Sequence, residues 1–336
     1  MDGPHAPPRR WSGWVLTAVV LLAACLLSLL VGTKTVPIGE VWAALWHDDG
    51  SPDHLIVTGY RVPRTLLGLL AGLALGVAGC LMQGLTRNPL ADPGLLGINA
   101  GAAFAITLSV AFLGVTDITS YVWFGFAGAA VVSLVVYRVG TAGRQGSDPV
   151  RLTLAGVAVT AVLTGLTKGL ILLNAKAFDE WRQWDSGSLT GRGYDVIAGA
   201  TPFIAVGLVA AVIASRSLNA VALGEDLARA LGVHVTRTRV LSVVALTLLC
   251  GTATAAVGPI TFVGLAVPHV ARWLVGPDQR WIIAYSMLLA PILVIGSDVI
   301  GRILIPGDEV PAGLVTAFLG APVLIWLARR ARVGAA

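Results

Sequence analysis

Residues 61–101 read RVPRTLLGLLAGLALGVAGCLMQGLTRNPLADPGLLGINAG. The apolar run at 62–84 is long enough to cross a bilayer, because a spanning helix needs about 20 mostly apolar residues. Its glycines recur every three or four positions, at Gly68, Gly72, Gly76 and Gly79. Such a stripe of small residues predicts close packing against a neighbouring helix. The Asn, Asp, Pro and Gly residues at 88–94 then break the helix, so we expect a tight turn at its end.

The composition of the whole chain supports a membrane protein. Of its 336 residues 56% are hydrophobic and 12% are charged, and the mean hydropathy is +0.82. A soluble domain carries about 25% charged residues. The charged residues of this chain are too few to cover a water-facing surface. Most of its exterior must therefore face membrane lipid. This reading makes nucleic-acid binding a poor explanation of the isoelectric point of 9.4.

Apolar segments along the chain predict about ten crossings. Nine are clear: 14–32, 62–84, 95–114, 121–137, 152–173, 196–215, 240–257, 281–300 and 310–327. A further apolar stretch at 258–275 contains Pro259, Gly264 and Pro268, which predict a short or partly unwound helix. The first run could be a signal peptide, but no A-x-A cleavage site follows it, so we expect a membrane anchor. The expected fold is an all-α membrane protein with a single domain over residues 1–336.

The distribution of basic residues predicts the orientation. With the amino terminus in the cytoplasm, 15 of the 23 basic residues fall on the inside, among them Arg144. Short inside loops carry an excess of Lys and Arg, so this topology is favoured and both termini are predicted to be cytoplasmic. The longest loops, at 33–60, 174–194 and 216–239, are too short for a separate soluble domain.

Several catalytic and metal-binding patterns are absent from the sequence. It has no Gly-rich P-loop ending in Lys-Ser or Lys-Thr, so it has no means of its own to bind ATP, and it has no His-Glu-x-x-His zinc pattern. The cysteines Cys25, Cys80 and Cys250 lie in apolar runs without metal-ligand spacing. We therefore expect a chain that is not an enzyme, with no cofactor and no metal site.

Three ionisable residues within apolar segments leave an alternative open. Lys168, His269 and Asp298 are functional-site hypotheses by default, because charge is costly inside a bilayer. Lys168 and Asp298 could serve as coupling groups of a carrier driven by an ion gradient. Snorkelling or pairing near the helix ends is the structural explanation of both.

Short motifs spread along the chain resemble the permease subunits of bacterial ATP-binding-cassette (ABC) importers for iron chelates and cobalamin, the FecCD type. After 61–101 they are LAGV at 154–157, Trp184 with GSL at 187–189, LNA at 218–220, LGE at 223–225, Ala228 with LGV at 231–233, GPI at 258–260, FVGL at 262–265, PH at 268–269, Asp298 with Arg302, and GAP at 320–322. Their order and spread make chance a poor explanation.

This resemblance implies a type II ABC importer permease fold in the cytoplasmic membrane. It also implies P-loop ATPase subunits, a second, homologous but non-identical permease subunit, and a soluble siderophore-binding protein as partners. Three pieces favour a ferric siderophore of the catecholate type as cargo: VRLTLAGVAV at 150–159, LLN at 172–174 and ARWLVG at 271–276. Haem or cobalamin is the alternative cargo within the same family.

The inside loop contains a segment, 219–235, with a helical pattern between Gly224 and Gly232. Its apolar face would suit an amphipathic helix lying on the bilayer. The resemblance implies instead that it couples transport to the ATPase. The expected contact residues are Gly224, Glu225, Ala228, Leu231 and Gly232.

A rigid turn placed to close a pathway and a group of arginines at one mouth predict two further sites, and the resemblance adds to both. Asn88, Pro89 and Leu90 are expected to form a cytoplasmic gate at the inner end of the second crossing. Arg61, Arg64 and Arg302 are expected at the outer mouth, where they would form a positive patch that binds carboxylates of the siderophore-binding protein. Lipid snorkelling, and an internal pair between Arg302 and Asp298, are the structural alternatives.

Overall fold

The computed structural model describes residues 7–47, 49–141 and 149–333. In this part of the chain fifteen α-helices form: α1 (Pro7–Leu30), α2 (Ile38–Trp46), α3 (Pro52–Ile56), α4 (Val62–Thr86), α5 (Ile98–Leu113), α6 (Ile118–Thr141), α7 (Pro149–Leu173), α8 (Ala175–Asp185), α9 (Tyr194–Ala222), α10 (Glu225–Ala230), α11 (Val235–Leu246), α12 (Thr252–Val257), α13 (Val263–Val275), α14 (Gln279–Leu304) and α15 (Ala312–Val333). Two π-helical turns, Val57–Arg61 and Thr247–Gly251, join α3 to α4 and α11 to α12. The two termini and Arg144 lie outside the described residues.

The helices reproduce the predicted crossings. Seven stretches are long and apolar enough to span a membrane: Arg10–Leu30, Pro52–Thr86, Ile118–Gly140, Val150–Leu173, Tyr194–Ala222, Val235–Val257 and Gln279–Leu304. Shorter apolar helices occupy the three remaining predicted positions: Ile98–Leu113, Val263–Val275 and Ala312–Val323. The all-α membrane fold is confirmed, and the broken stretch at 258–275 becomes a short helix, α13, preceded by a non-helical connection.

Helix α4 lies at the centre of the bundle, packed against α9, α11, α13 and α14. Its glycines allow this approach. A Cβ on Gly72 would lie 2.6 Å from the Pro291 Cα, and one on Gly76 would lie 2.5 Å from the Ala290 Cβ. The predicted small-residue stripe is thus the surface on which α14 packs.

Loops that alternate along the sequence meet at two ends of the bundle. The inner end, named after the predicted orientation, comprises 87–97, 219–239 and 276–280. The Asn219 side chain joins two of these loops by donating a hydrogen bond to Asp278 at 2.8 Å. The outer end comprises 31–64, 186–194 and 298–311, where the Tyr194 hydroxyl donates to the Thr58 carbonyl at 2.8 Å.

Candidate functional sites at the two ends of the bundle

The predicted coupling segment forms a compact turn–helix–turn at the inner end. Gly224 precedes α10 with a φ of 114°, and Gly232 follows it with a φ of 80°. Both values lie in the region that favours glycine. A Cβ at either glycine would meet nothing within 4 Å in the described structure. Backbone geometry therefore explains both glycines, and the space beside them is open.

Helix α10 has one buried and one exposed face. Ala228 is fully buried, in a small cluster with Val221 of α9 and Val235 of α11. Leu223, Leu227 and Leu231 lie on the other side and are 65%, 49% and 61% exposed. We call these three leucines the leucine ridge. Of the predicted contact residues, Leu231 faces outward, whereas Ala228 supports the helix from beneath.

Glu225, another predicted contact residue, turns toward the protein. Its carboxylate lies 2.8 Å from Nη2 of Arg229, 3.4 Å from Nη2 of Arg87, and in contact with Arg239 of α11. Its neighbour Asp226 is fully exposed and pairs with Arg229 at 2.8 Å. The Arg87 and Arg239 contacts could not be predicted from the sequence, because helical spacing links Glu225 only to Arg229.

The predicted gate residues form a rigid exposed turn beside the coupling segment. Arg87 ends α4 with a φ of 50°. The Asn88 side-chain oxygen accepts a hydrogen bond from the Leu90 N–H at 2.9 Å, and its carbonyl accepts one from Ala91 at 3.1 Å. Pro89 further restricts this turn.

The turn continues into a half-buried capping residue, Asp92. Asp92 accepts a hydrogen bond from the Gly94 N–H at 2.8 Å, at the start of the short 3₁₀ helix Pro93–Leu96. Burial raises the pKa of this carboxyl, and the Gly94 N–H opposes that effect. The inner end of α4 is therefore stiffened on both sides of Leu90.

At the outer end a largely buried network of ion pairs and hydrogen bonds joins three helices, α1, α4 and α14, and the loop that follows α14. Arg64 donates to both oxygens of Asp298 through Nε at 3.0 Å, and through Nη1 to Glu309 at 2.7 Å. Arg302 donates to the same Asp298 through Nε at 3.0 Å and to the Ser28 carbonyl of α1 at 2.7 Å. The pair between Arg302 and Asp298 is the structural alternative considered from the sequence. Glu309 was missed, because nothing local links it to Arg64.

Arg61 has carbonyl partners. Its Nη1 donates to the Leu29 and Leu30 carbonyls at 2.6 and 3.0 Å, and its Nη2 donates to the Lys34 carbonyl. These carbonyls lie at and beyond the end of α1, where no further N–H group of the helix is available to bind them. Arg61 therefore caps that helix.

The three arginines do lie together. Arg61, Arg64 and Arg302 line one cavity of about 280 Å³ with Lys34, Thr190 and Glu309. Its positive charge is smaller than the sequence suggested, because Asp298 and Glu309 lie among the arginines and neutralise part of it. The guanidinium groups are also largely buried, so a partner would reach them through this cavity and not on an open surface.

The remaining ionisable residues do not form a metal centre. No group of three His, Cys, Asp or Glu side chains that could hold a metal ion occurs among the described residues. His269 packs edge-on against Trp273, with ring centroids 4.7 Å apart. Asp298 lies between Arg64 and Arg302 and is hydrogen-bonded to both, so pairing within the protein accounts for this residue.

This architecture is that of a type II ABC importer permease. A solved metal-chelate type ABC transporter in an inward-facing conformation superposes with a TM-score of 0.82 at 23% identity, over 95% of this chain and 99% of that chain. The model of the FecCD transport family matches residues 20–330, and the chain belongs to that family. It is therefore a multi-pass membrane permease, a transport subunit and not an enzyme.

Two relatives from Escherichia coli (strain K12) extend along nearly the whole chain. The ferric enterobactin transport system permease protein FepD is 50% identical over 318 residues, which cover 95% of each chain. The ferric enterobactin transport system permease protein FepG is 35% identical over 321 residues, covering 93% of this chain and 95% of FepG.

Proposed function

We propose that this chain is the permease subunit of an ABC importer that carries a ferric siderophore of the catecholate type into the cytoplasm. The observation that carries the proposal is the 50% identity to FepD, whose name assigns it to ferric enterobactin, over 95% of both chains. The whole chain, residues 1–336, acts as one membrane domain in the cytoplasmic membrane, with both termini in the cytoplasm. The positive-inside distribution supports this orientation.

The proposal requires three kinds of partner. The sequence has no P-loop, so separate ATPase subunits supply the energy. A homologous, non-identical second permease subunit completes the pathway, which the paired names FepD and FepG support. A soluble siderophore-binding protein delivers the cargo from outside.

The inner end carries the proposed coupling site. The leucine ridge is an apolar surface at the end of α9, and an ATPase cleft would remove it from water. Gly224 and Gly232 leave open space on either side of α10 for that partner. Asn88, Pro89 and Leu90 form the adjacent gate turn.

The outer end carries the proposed docking site. The cavity lined by Arg61, Arg64 and Arg302 retains an excess positive charge, because Arg61 binds carbonyls and not a carboxylate. Acidic side chains of the siderophore-binding protein enter this cavity. Docking then weakens with salt, because screening acts beyond about 10 Å at 0.1 M ionic strength.

Uptake in a strain that lacks this gene tests the cargo. Cells complemented with the chain are given radioactive iron as a tris-catecholate chelate, with unlabelled hydroxamate, citrate, haem and catecholate complexes as competitors. Competition by catecholates alone is expected. Competition by haem instead, or uptake that needs no ATPase subunit, would overturn the proposal.

A further inference from the structure

The Glu225 carboxylate forms ion pairs with arginines from three separate parts of the inner end. Arg229 belongs to α10 itself, Arg87 follows α4, and Arg239 lies on α11. The carboxylate is 27% exposed and Arg239 14% exposed, so this contact is partly shielded from water. Asp226, one residue further on, is fully exposed and pairs with Arg229 alone among the described residues. Adjacent carboxylates on α10 thus have different environments.

The contacts of α10 divide into two kinds. Its apolar contacts go through Ala228 to Val221 and Val235, and these attach the helix to α9 and α11. Its contact with the turn after α4 runs through charge, from Glu225 to Arg87 at 3.4 Å. A displacement of α10 can therefore reach α4 through the Glu225 carboxylate.

The turn at 87–90 is held rigid by its own hydrogen bonds, so its residues should move together. Arg87 directly precedes Asn88, whose side chain and carbonyl both close the turn that contains Leu90. Half-buried Asp92 and the 3₁₀ helix Pro93–Leu96 hold its far side. A displacement of Arg87 should therefore displace Leu90 as well, because the backbone between them bends little.

We propose that Glu225 is a positioning residue that links the coupling helix α10 to the turn at 87–90, so that movement imposed by the ATPase reaches the inner end of α4. This inference rests on the proposed function, since it takes the leucine ridge as the ATPase contact. The sequence led us to expect that Glu225 contacts the ATPase directly. The proposal gives Glu225 a different role, within the permease itself. Ion pairs that are partly exposed contribute little to stability, so the link can be removed without unfolding the protein.

The test compares Glu225→Gln with Asp226→Asn in the complete importer reconstituted into lipid vesicles. Both variants remove one negative charge, and only the first breaks the link to Arg87 and Arg239. For Glu225→Gln we expect normal co-purification of the ATPase and normal ATP hydrolysis, with a several-fold fall in cargo transported per ATP. Asp226→Asn should behave as the unmodified protein does, and Glu225→Asp should restore part of the coupling.

A spin label at Leu90→Cys supplies a readout that a general loss of structure would not imitate. Its distance to the corresponding label in the second permease subunit should change with nucleotide in the unmodified protein and stay fixed in Glu225→Gln. Arg87→Gln should give the same fall in coupling, and the double variant should add nothing, because neighbours in one network are not additive.

Two results would overturn the inference. Loss of the ATPase from Glu225→Gln would make Glu225 a direct contact residue. Unchanged coupling together with an unchanged Leu90 displacement would show that the link carries no movement. Failure of the proposed function looks different, because the unmodified chain would then bind no ATPase or import no catecholate.

Discussion

Asp298 binds two arginines that reach it from different helices, Arg64 on α4 and Arg302 on α14. It is 1% exposed, so its charge is stabilised by these partners and not by water. Removing one member of a buried ion network leaves the others uncompensated, which costs roughly 3–5 kcal/mol.

Asp298→Asn should therefore lower the free energy of unfolding by several kcal/mol. Glu309 and the Ser28 carbonyl still bind the two arginines, so we expect a value near 3 kcal/mol, the lower end of that range. The measurement is the melting temperature of the detergent-solubilised chain. Exposed Asp308 provides the matched Asp-to-Asn control, and equal melting of both variants would contradict the network's structural role.

Glu309 lines the cavity of the proposed docking site and is only partly buried. Its carboxylate is 30% exposed and occupies Nη1 of Arg64. Glu309→Gln should free that donor for a partner's carboxylate, so the siderophore-binding protein should bind several-fold tighter and with steeper salt dependence. Binding to the importer in nanodiscs at several salt concentrations measures both. Asp308→Asn makes the same charge change without releasing Arg64, and an equal effect of both would exclude a specific exchange.

Sequence reasoning reached part of this residue-scale picture. Arg302 and Asp298 are four residues apart on one helix, so their pairing could be anticipated. The contacts of Arg64 with Asp298 and Glu309 span 234 and 245 residues. Such pairs depend on how α4 and α14 pack, which no local pattern shows.

At the scale of elements, the glycine stripe of α4 decides how closely α13 and α14 approach. A Cβ on Gly79 would overlap the Gly264 carbonyl of α13, a backbone atom that cannot turn aside. Gly79→Ala should therefore force the helices apart and sharply reduce the yield of folded protein. Gly39→Ala on α2 meets nothing within 4 Å and should be neutral or slightly stabilising, by up to about 1 kcal/mol. Size-exclusion profiles of both variants measure this, and normal yield of Gly79→Ala would contradict the close packing.

The end of α10 offers a test of the coupling site. At Gly232 a side chain meets open space, but the φ of 80° strains any residue with a Cβ. Gly232→Ala and Gly232→Trp share that strain and differ in bulk. Uptake should survive largely in Gly232→Ala and be abolished in Gly232→Trp, with both at normal membrane levels. Equal uptake by the two would favour an α10 that contacts only lipid.

Hydropathy predicted the spanning elements better than the elements between them. Hydropathy predicts loops at 33–60 and 174–194, yet these stretches contain α2, α3 and α8. These short helices depend on tertiary contacts: Trp184 of α8 is fully buried and donates to the Ala255 carbonyl at 3.2 Å. Trp184, Gly187 and Gly258 carried part of the family resemblance. They meet here, where a Cβ on Gly258 would lie 3.2 Å from the Gly187 Cα.

At the scale of the whole molecule, the alternation of loops between two ends was predictable because each crossing must reverse direction. Ion pairs and hydrogen bonds then join loops that this alternation places together, such as Arg87 with Glu225 and Arg64 with Glu309. The proteins that bind the exposed surfaces could not be predicted from the order of crossings. The leucine ridge and the cavity lined by Arg61, Arg64 and Arg302 are proposed to bind other chains, whose surfaces this sequence does not encode.

The orientation of the bundle gives the last prediction. The structure places residues 185 and 226 at opposite ends, because α9 spans the distance between them. The excess of arginines predicts that the end with residue 226 lies in the cytoplasm. A phosphatase fused after Asp185 should therefore be active, since it folds only outside, and a fluorescent reporter after Asp226 should report the inside. The reverse pattern at both sites would invert the molecule, and it would place the leucine ridge where no ATPase can reach it. The same signal at both sites would contradict the crossing by α9 itself.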